Sequence, residues 1–274
     1  NHGVRDDGLL NLTGKDFYSC QLPVPPLPEQ QKIAEILMQC DKVITLKKER
    51  IEEEKKRKKW LIQKLFDTNS KISPSEHSEK WHKVKIKDVA KVISGGTPDT
   101  GEKEYWNGDI LWCTPTDISA CGKYINRTAQ KITLKGLKNS SATLLPVGTV
   151  LMCSRATIGT KAIANVEIST NQGFKNFICK KGLLQNEFLY YLIDVILPDF
   201  LRLSSGNTFK ELLKNSVDNY AISIPDYDKQ IAISGLFSTQ DHIIDSLEQE
   251  LMAFQQKKKA LMQLLLTGIA RVNA

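Results

Sequence analysis

At 274 residues the chain is long enough for one globular domain of ordinary size together with two long helices. No apolar run approaches the roughly 20 residues needed to cross a bilayer, and six cysteines scattered without a Cys-x-x-Cys pair argue against a zinc site and for a reducing cytoplasm. The net charge of +7, from 38 Lys and Arg against 31 Asp and Glu, is of the sign that suits a polyanionic partner.

Residues 1–24 show no secretory signal, and Asn1 is not an initiator methionine, so the true N-terminus is expected to be missing. Residues 11–25 run through a short polar helical piece and an apolar strand to Pro25, as 211–225 do to Pro225. Residues 1–24 therefore read as the C-terminal remnant of an upstream domain. From there 25–66 and 225–266 form an internal repeat with a constant offset of 200 and no gap. Pro25/Pro225, Gln30/Gln230, Ile33/Ile233, Asp41/Asp241, Ile44/Ile244, Lys58/Lys258, Leu61/Leu261 and Leu65/Leu265 are among the identical pairs.

Both copies predict long helices that start after a proline turn and contain no internal proline. The second copy places Phe237, Ile244, Leu247, Leu251, Phe254, Leu261 and Leu265 on an alternating 3–4 spacing, interrupted by Gln240 and Lys258. The first keeps that register through Leu37, Cys40, Ile44, Ile51, Leu61 and Leu65, with Lys47, Glu54 and Lys58 as polar intrusions. This is a coiled-coil seam of period 3.5, and about 38 helical residues span roughly 57 Å. The two seams most simply pack antiparallel on each other, either as a stability device or as something more. The run Lys55–Lys59 after Glu52–Glu54 fits i,i+4 pairing on a solvated face, with direct phosphate binding as the other reading.

The polar stretch 67–80 reads as a linker, and the middle domain, 81–225, is predicted to be a mixed α/β unit. Strands are expected at 110–113, 149–153, 161–164 and 174–179. They are separated by turns at Gly95-Gly96-Thr97-Pro98, Asn107-Gly108, Pro146-Val147-Gly148 and Gly159. A helix is expected from Asn186 to Leu197, continuing past Pro198, and the second helical segment occupies 226–274. Residues 81–214 hold 18 basic and 11 acidic side chains, so this stretch carries an excess equal to the net charge of the chain. That is the electrostatic footprint of a nucleic-acid binder.

Gly96–Lys103 misses the phosphate-binding loop pattern because Glu102 stands where the lysine must reach the phosphates. Asp226-Tyr227-Asp228-Lys229 suits a helix start rather than a nuclease cluster. The four histidines are dispersed, and no nucleophile–base pair, cofactor loop or base-methylation motif is present, so the chain is expected not to be an enzyme. Two polar loops do suit DNA reading. Ser154-Arg155-Ala156-Thr157-Ile158-Gly159-Thr160-Lys161 leaves a buried strand with two cations and two threonines. Asn171-Gln172-Gly173-Phe174-Lys175 sets two amides beside a glycine that permits close approach. Arg with guanine and Asn or Gln with adenine are matched pairs in the major groove. Lys123, Arg127, Lys131, Lys135 and Lys138 suit phosphate contacts. For the amides, simple turn capping is the alternative.

Gly95-Gly96-Thr97-Pro98, Tyr105-Trp106-Asn107-Gly108 with Asp109-Ile110, Arg155–Gly159, Asn171–Phe174 and the helix entry at 26–34 together resemble the specificity (S) subunit of type I restriction–modification enzymes. The match covers residues 11–267. The resemblance implies an α+β architecture: one target-recognition domain (81–225) flanked by two helices in an antiparallel coiled coil, with a second recognition domain truncated. It implies a non-catalytic reader of half of a bipartite double-stranded DNA target, with helices that set half-site spacing and dock methyltransferase (M) subunits. The restriction (R) subunit would join through the complex. S-adenosylmethionine, ATP and Mg would belong to those partners, with no cofactor in this chain. The expected DNA-binding set is Thr97, Lys103, Tyr105, Lys123, Arg127, Ser154, Arg155, Thr157, Lys161, Asn171, Gln172 and Lys175. With one recognition domain, self-association through the helices into a homodimer is expected. Two other classes remain open at this point: a coiled-coil scaffold without DNA readout, and a fragment of a fused DNA methyltransferase or nuclease.

Overall fold

The computed structural model describes residues 18, 19, 24–66, 81–204 and 211–273. The linker at 67–80 and nearly all of the remnant at 1–24 lie outside the described residues. In chain order the elements are α1 (Leu27–Phe66), β1 (His82–Lys85), α2 (Ile86–Val89), β2 (Ala90–Ser94), β3 (Trp106–Cys113), α3 (Pro115–Ala120), β4 (Tyr124–Ile125) and β5 (Gln130–Ile132). They continue with α4 (Leu134–Lys138), β6 (Val150–Cys153), β7 (Lys161–Ala164), β8 (Ser169–Thr170), β9 (Phe174–Cys179), α5 (Asn186–Ser204), α6 (Lys214–Asp218), β10 (Ala221–Ile224) and α7 (Tyr227–Leu266). The expected α+β class is therefore observed. The chain divides into two compact units, 1–56 with 242–274 and 57–241, so the division falls inside both long helices.

The repeat carries through to geometry. α1 and α7 are each 40 residues long, offset by 200, and about 60 Å in length. Each entry turn is braced in the same way: Gln30 Nε2 donates to the Pro25 carbonyl at 2.7 Å, and Gln230 Nε2 to the Pro225 carbonyl at 2.9 Å. These bonds tie the first turn of each helix back to the proline turn that precedes it.

In the unit made of 1–56 and 242–274 the two helices run antiparallel. Lys47 pairs with Glu250 at 2.9 Å, Lys55 with Glu248 at 2.8 Å and Lys258 with Asp41. Glu29, at the start of α1, receives Arg271 Nε at 2.8 Å and Nη2 at 2.6 Å from beyond the end of α7. Every predicted seam position from 37 to 65 and from 237 to 265 is buried or half-buried, while most positions between them are exposed. The polar intrusions fit because Lys47 and Lys258 reach carboxylates on the facing helix instead of burying bare charge.

In the 57–241 unit Lys58 pairs with Asp241, which repeats the Asp41–Lys258 pair 200 residues on. The core here is aromatic. Phe66 stacks on Phe237 at 5.9 Å and packs against Phe188 at 5.1 Å, while Tyr191 lies 4.9 Å from Phe237. Amphipathic α5 supplies Phe188, Leu189, Leu192, Ile193, Ile196 and Phe200 to this core.

A five-stranded sheet in the order β2-β9-β6-β7-β4 is the centre of the unit, with antiparallel pairing except between β7 and β4. A three-stranded sheet, β5-β3-β8, and the two-stranded pair β1-β10 complete it. The predicted strands at 161–164 and 174–179 match β7 and β9, and the helix from Asn186 runs through Pro198 to Ser204. Asn107-Gly108 is not the predicted turn between strands. It lies inside β3, where Asn107 has φ 61° and the register slips so that Trp106 and Ile110 both face Ile132. That is a β-bulge, with Gly108 needed because a Cβ there would stand 2.6 Å from the Ile132 carbonyl oxygen.

Candidate nucleic-acid interface

Three loops meet at one end of the five-stranded sheet because their strands are paired in register. β2 ends with Ser94 opposite Lys175, and β6 ends with Cys153 opposite Phe174. The chain leaving each strand keeps bonding across the gap. Gly96 N donates to the Thr170 carbonyl at 2.9 Å, and Ser154 N to the Gly173 carbonyl at 2.7 Å. Thr97, Ser154, Arg155, Asn171, Gln172 and Lys175 are thereby gathered from segments far apart in sequence.

The two glycines are what allow the approach. A Cβ on Gly95 would lie 1.8 Å from the Asn171 carbonyl oxygen, and one on Gly96 2.3 Å from the backbone of Ser141 and Ala142. The Trp112 indole N–H, itself buried, anchors the Gly96 carbonyl at 2.9 Å. Asn171 Oδ1 accepts from Gly173 N at 2.9 Å, so this amide caps the turn. Gln172 is exposed and its Oε1 takes the Thr97 hydroxyl, which leaves its amide N–H groups free of that contact.

The loop after β6 is tightly wound and closes on α5. Ala156 adopts φ 52° and Gly159 φ 91°, the former a sparsely populated region for a residue with a Cβ. A Cβ at Gly159 would stand 2.3 Å from Leu197 Cδ1 of α5, so the loop is seated directly on that helix. Arg155 is 48% exposed and its Nη2 pairs with Glu211 at 2.7 Å. Lys175 is turned inward, 3.4 Å from both Glu211 Oε1 and Ser154 Oγ. Burial pulls the Lys175 ammonium below the ordinary lysine value, with Glu211 opposing. Burial pushes the Glu211 carboxyl up, but the Arg155 hydrogen bond and the Lys175 charge outweigh it and hold the carboxyl low.

Two further lysines of the predicted set also face inward. Lys161 on β7 is 8% exposed, pairs with Asp194 and sits 4.6 Å from the Tyr190 ring centroid. Lys123, 12% exposed, donates to Glu187 Oε2 at 3.0 Å, Tyr191 OH at 3.1 Å and Ser238 Oγ at 2.6 Å. Tyr191 in turn donates to Asp241 at 2.5 Å. In this conformation Lys123, Lys161 and Lys175 tie the domain together rather than present charge to solvent. Lys103 and Tyr105, in a short 3-10 turn before β3, and exposed Arg127, between β4 and β5, lie on other segments. Arg127 lines an open cleft of about 630 Å³ with Asp117, Cys121 and Asn126. Thr157 is exposed on the same loop as Arg155. Glu211, Glu187 and Asp194 carry no local sequence signal, and only the fold reveals their roles.

Glu187 makes this network sensitive to acid. Burial raises its carboxyl, yet hydrogen bonds from Tyr124, Lys123 and Ser238 together hold it below the ordinary value. On acidification the unfolded chain therefore takes up the proton first. The stabilisation is complete above about pH 4.3, the ordinary glutamate value, and is lost as pH falls through the lower folded one. Melting temperatures measured from pH 6 to pH 3 should show a shallower acid decline for Glu187→Gln than for the native chain. An identical decline would assign the acid sensitivity elsewhere.

The family model described as type I restriction modification DNA specificity domain matches residues 6–56 and 78–255, most of the chain and in two stretches. The chain belongs to this family. A type I restriction enzyme MjaIX specificity subunit from Methanocaldococcus jannaschii is 40% identical over 173 residues, which is 62% of this chain and 40% of that protein. The MjaVIII specificity subunit of the same organism is 26% identical over 286 residues, covering 98% of this chain and 67% of the other. Among solved structures, the HsdS subunit from Thermoanaerobacter tengcongensis aligns with a TM-score of 0.59 at 18% identity, over 96% of this chain and 64% of that one. A chain from a structure of the assembly and conformational transition of the type I R-M system aligns with a TM-score of 0.66 at 18% identity, over 96% and 66%. This member of the specificity family thus spans less than two thirds of the first of these relatives. Among its described residues no helix is long and apolar enough to cross a membrane, and no group of three or more His, Cys, Asp or Glu could hold a metal ion.

Proposed function

We propose that the chain reads one half of a bipartite double-stranded DNA target, with Arg155 and Gln172 as its base-directed side chains and Thr97 orienting the latter. The observation that supports this most is the convergence of three loops at one end of the sheet, where the segments carrying the half-exposed Arg155 and the exposed Gln172 are joined by the Ser154 N–Gly173 carbonyl bond. Thr157, Lys103, Tyr105 and Arg127 would make backbone contacts that set register. Ser154, Asn171 and Lys175, together with Lys123 and Lys161, would shape and stiffen the reading surface.

The long helices would serve as a spacer. B-DNA rises about 3.4 Å per base pair, so a rigid pair of helices fixes the separation of two half-sites. In the same reading they dock M subunits in the cytoplasm, the R subunit joins through that complex, and a second copy of this chain supplies the other half-site. Methylation with S-adenosylmethionine and ATP- and Mg-dependent cleavage would be the work of those partners, this chain being non-catalytic.

Binding to random duplex should weaken steeply with salt, as phosphate contacts release counterions. Against the preferred duplex, Arg155→Ala or Gln172→Ala should each relax preference at one base pair by about 1–3 kcal/mol. Salt-independent binding, or no binding with M subunit present, would overturn the proposal. An unchanged preference in both variants would return the two residues to loop structure.

A further inference from the structure

Glu211 brings a negative charge into a group of cations on a surface proposed to face a polyanion. It is fixed there by the backbone. Glu211 forms an antiparallel bridge with Arg155, and fully buried Leu212 donates its N–H to the Ser154 carbonyl at 3.0 Å. Its carboxylate then takes Arg155 Nη2 at 2.7 Å and Lys175 Nζ at 3.4 Å. Lys175 is almost wholly buried, whereas Arg155 is half exposed. A guanidinium carries five N–H donors in a rigid fork. The carboxylate contact is made at Nη2, and about half of the Arg155 side chain remains exposed.

The segment carrying Arg155 is equally constrained. Ala156 accepts a positive φ immediately after it, and the loop closes on Leu197 at Gly159. A strained backbone conformation persists only where its surroundings over-determine it. An arginine held by its backbone on one side and by a carboxylate on the other loses little freedom when it meets a ligand, and that is how supporting contacts sharpen recognition.

We propose that Glu211 is a positioning residue for recognition: it aims the Arg155 fork at a guanine edge in the major groove and, by cancelling one positive charge, keeps that arginine from seizing phosphates of any sequence. The inference rests on the DNA-reading function proposed above. Its physical content is a trade of affinity for discrimination. Without the carboxylate the local field becomes more positive and the fork swings freely, so binding to arbitrary duplex strengthens while the preferred duplex loses its advantage.

The test enriches duplexes from a random library with the full-length chain. The enriched duplex and the random pool are then titrated against the native chain, Glu211→Gln, Glu211→Asp and Arg155→Lys. Glu211→Gln should bind the random pool more tightly, steepen the salt dependence by about one phosphate contact and lower the enriched-to-random affinity ratio roughly tenfold, as befits one bidentate base contact. Glu211→Asp should keep most of the ratio. Arg155→Lys retains the charge and the Glu211–Lys175 pair but lacks the planar fork, so it should lose the ratio without a drop in melting temperature. If both Glu211→Gln and Arg155→Lys enrich the same sequence with the native ratio, the inference fails while DNA reading stands. If Glu211→Gln weakens both duplexes in step with its melting temperature and Arg155→Lys keeps the ratio, Glu211 is structural only. If the native chain enriches no sequence, the DNA-reading function falls and the inference with it.

Discussion

Phe237→Ala should lower the unfolding free energy of the chain by about 3–5 kcal/mol, the usual cost of emptying an aromatic site in a packed core. Phe237 is fully buried, stacked on Phe66 of α1 and in contact with Tyr191 of α5, so three elements of the 57–241 unit lose a shared filler at once. Phe66 also packs on Phe188, so the rings that border the emptied space are themselves held by other rings. Urea unfolding followed by tryptophan fluorescence measures this directly, with Trp81 lying 6.2 Å from Phe66 as a reporter in the same cluster. A loss under about 1 kcal/mol would mean that the helices are not clamped to the domain through this site.

Gly95→Ala should be nearly as damaging, at or above the upper end of the about 1–3 kcal/mol typical of overpacking. It should also abolish sequence preference. The added methyl would stand 1.8 Å from the Asn171 carbonyl oxygen and 2.4 Å from Thr170 Oγ1, so backbone must move. The movement required separates the loop after β2 from the turn that carries Gln172. Gly122→Ala is the matched control, since a Cβ there meets nothing within 4 Å. Thermal melting and duplex titration of the pair should show the first variant impaired in both and the second in neither. Equal behaviour would remove the argument for a close approach of these two loops.

What the sequence displays of this fold is what acts locally. The period-3.5 seam, the prolines before Gln30 and Gln230, and the apolar runs of β7 and β9 are read from neighbouring residues. The pairing of β1 with β10, which joins residues 82–85 to 221–224, depends on distant chain and leaves no local trace. The two-residue strands β4 and β8 are too short for any pattern. Asn107-Gly108 does carry the positive-φ chemistry of a turn, but the same chemistry makes a bulge when the strand continues. At the interface the motif loops were legible because their glycines and amides mark close approach. The direction of a lysine side chain was not. Lys123, Lys161 and Lys175 turn inward because Glu187, Asp194 and Glu211 wait 64, 33 and 36 residues further along the chain.

The repeated helices are alike in length, entry turns and seam, yet their charges make them complementary rather than self-complementary. The Asp41–Lys258 pair has its twin in Lys58–Asp241, so a partnership of α1 with a second α1 would keep those contacts. The other pairs break that equivalence. The residues of α1 that correspond to Glu250 and Glu248 are Arg50 and Lys48, and against them Lys47 and Lys55 would find repulsion in place of attraction. Each helix is thus a key cut for the other copy of the repeat. An assembly of two chains through these helices would conserve that matching, exchanging α7 for its counterpart while never seating α1 against α1.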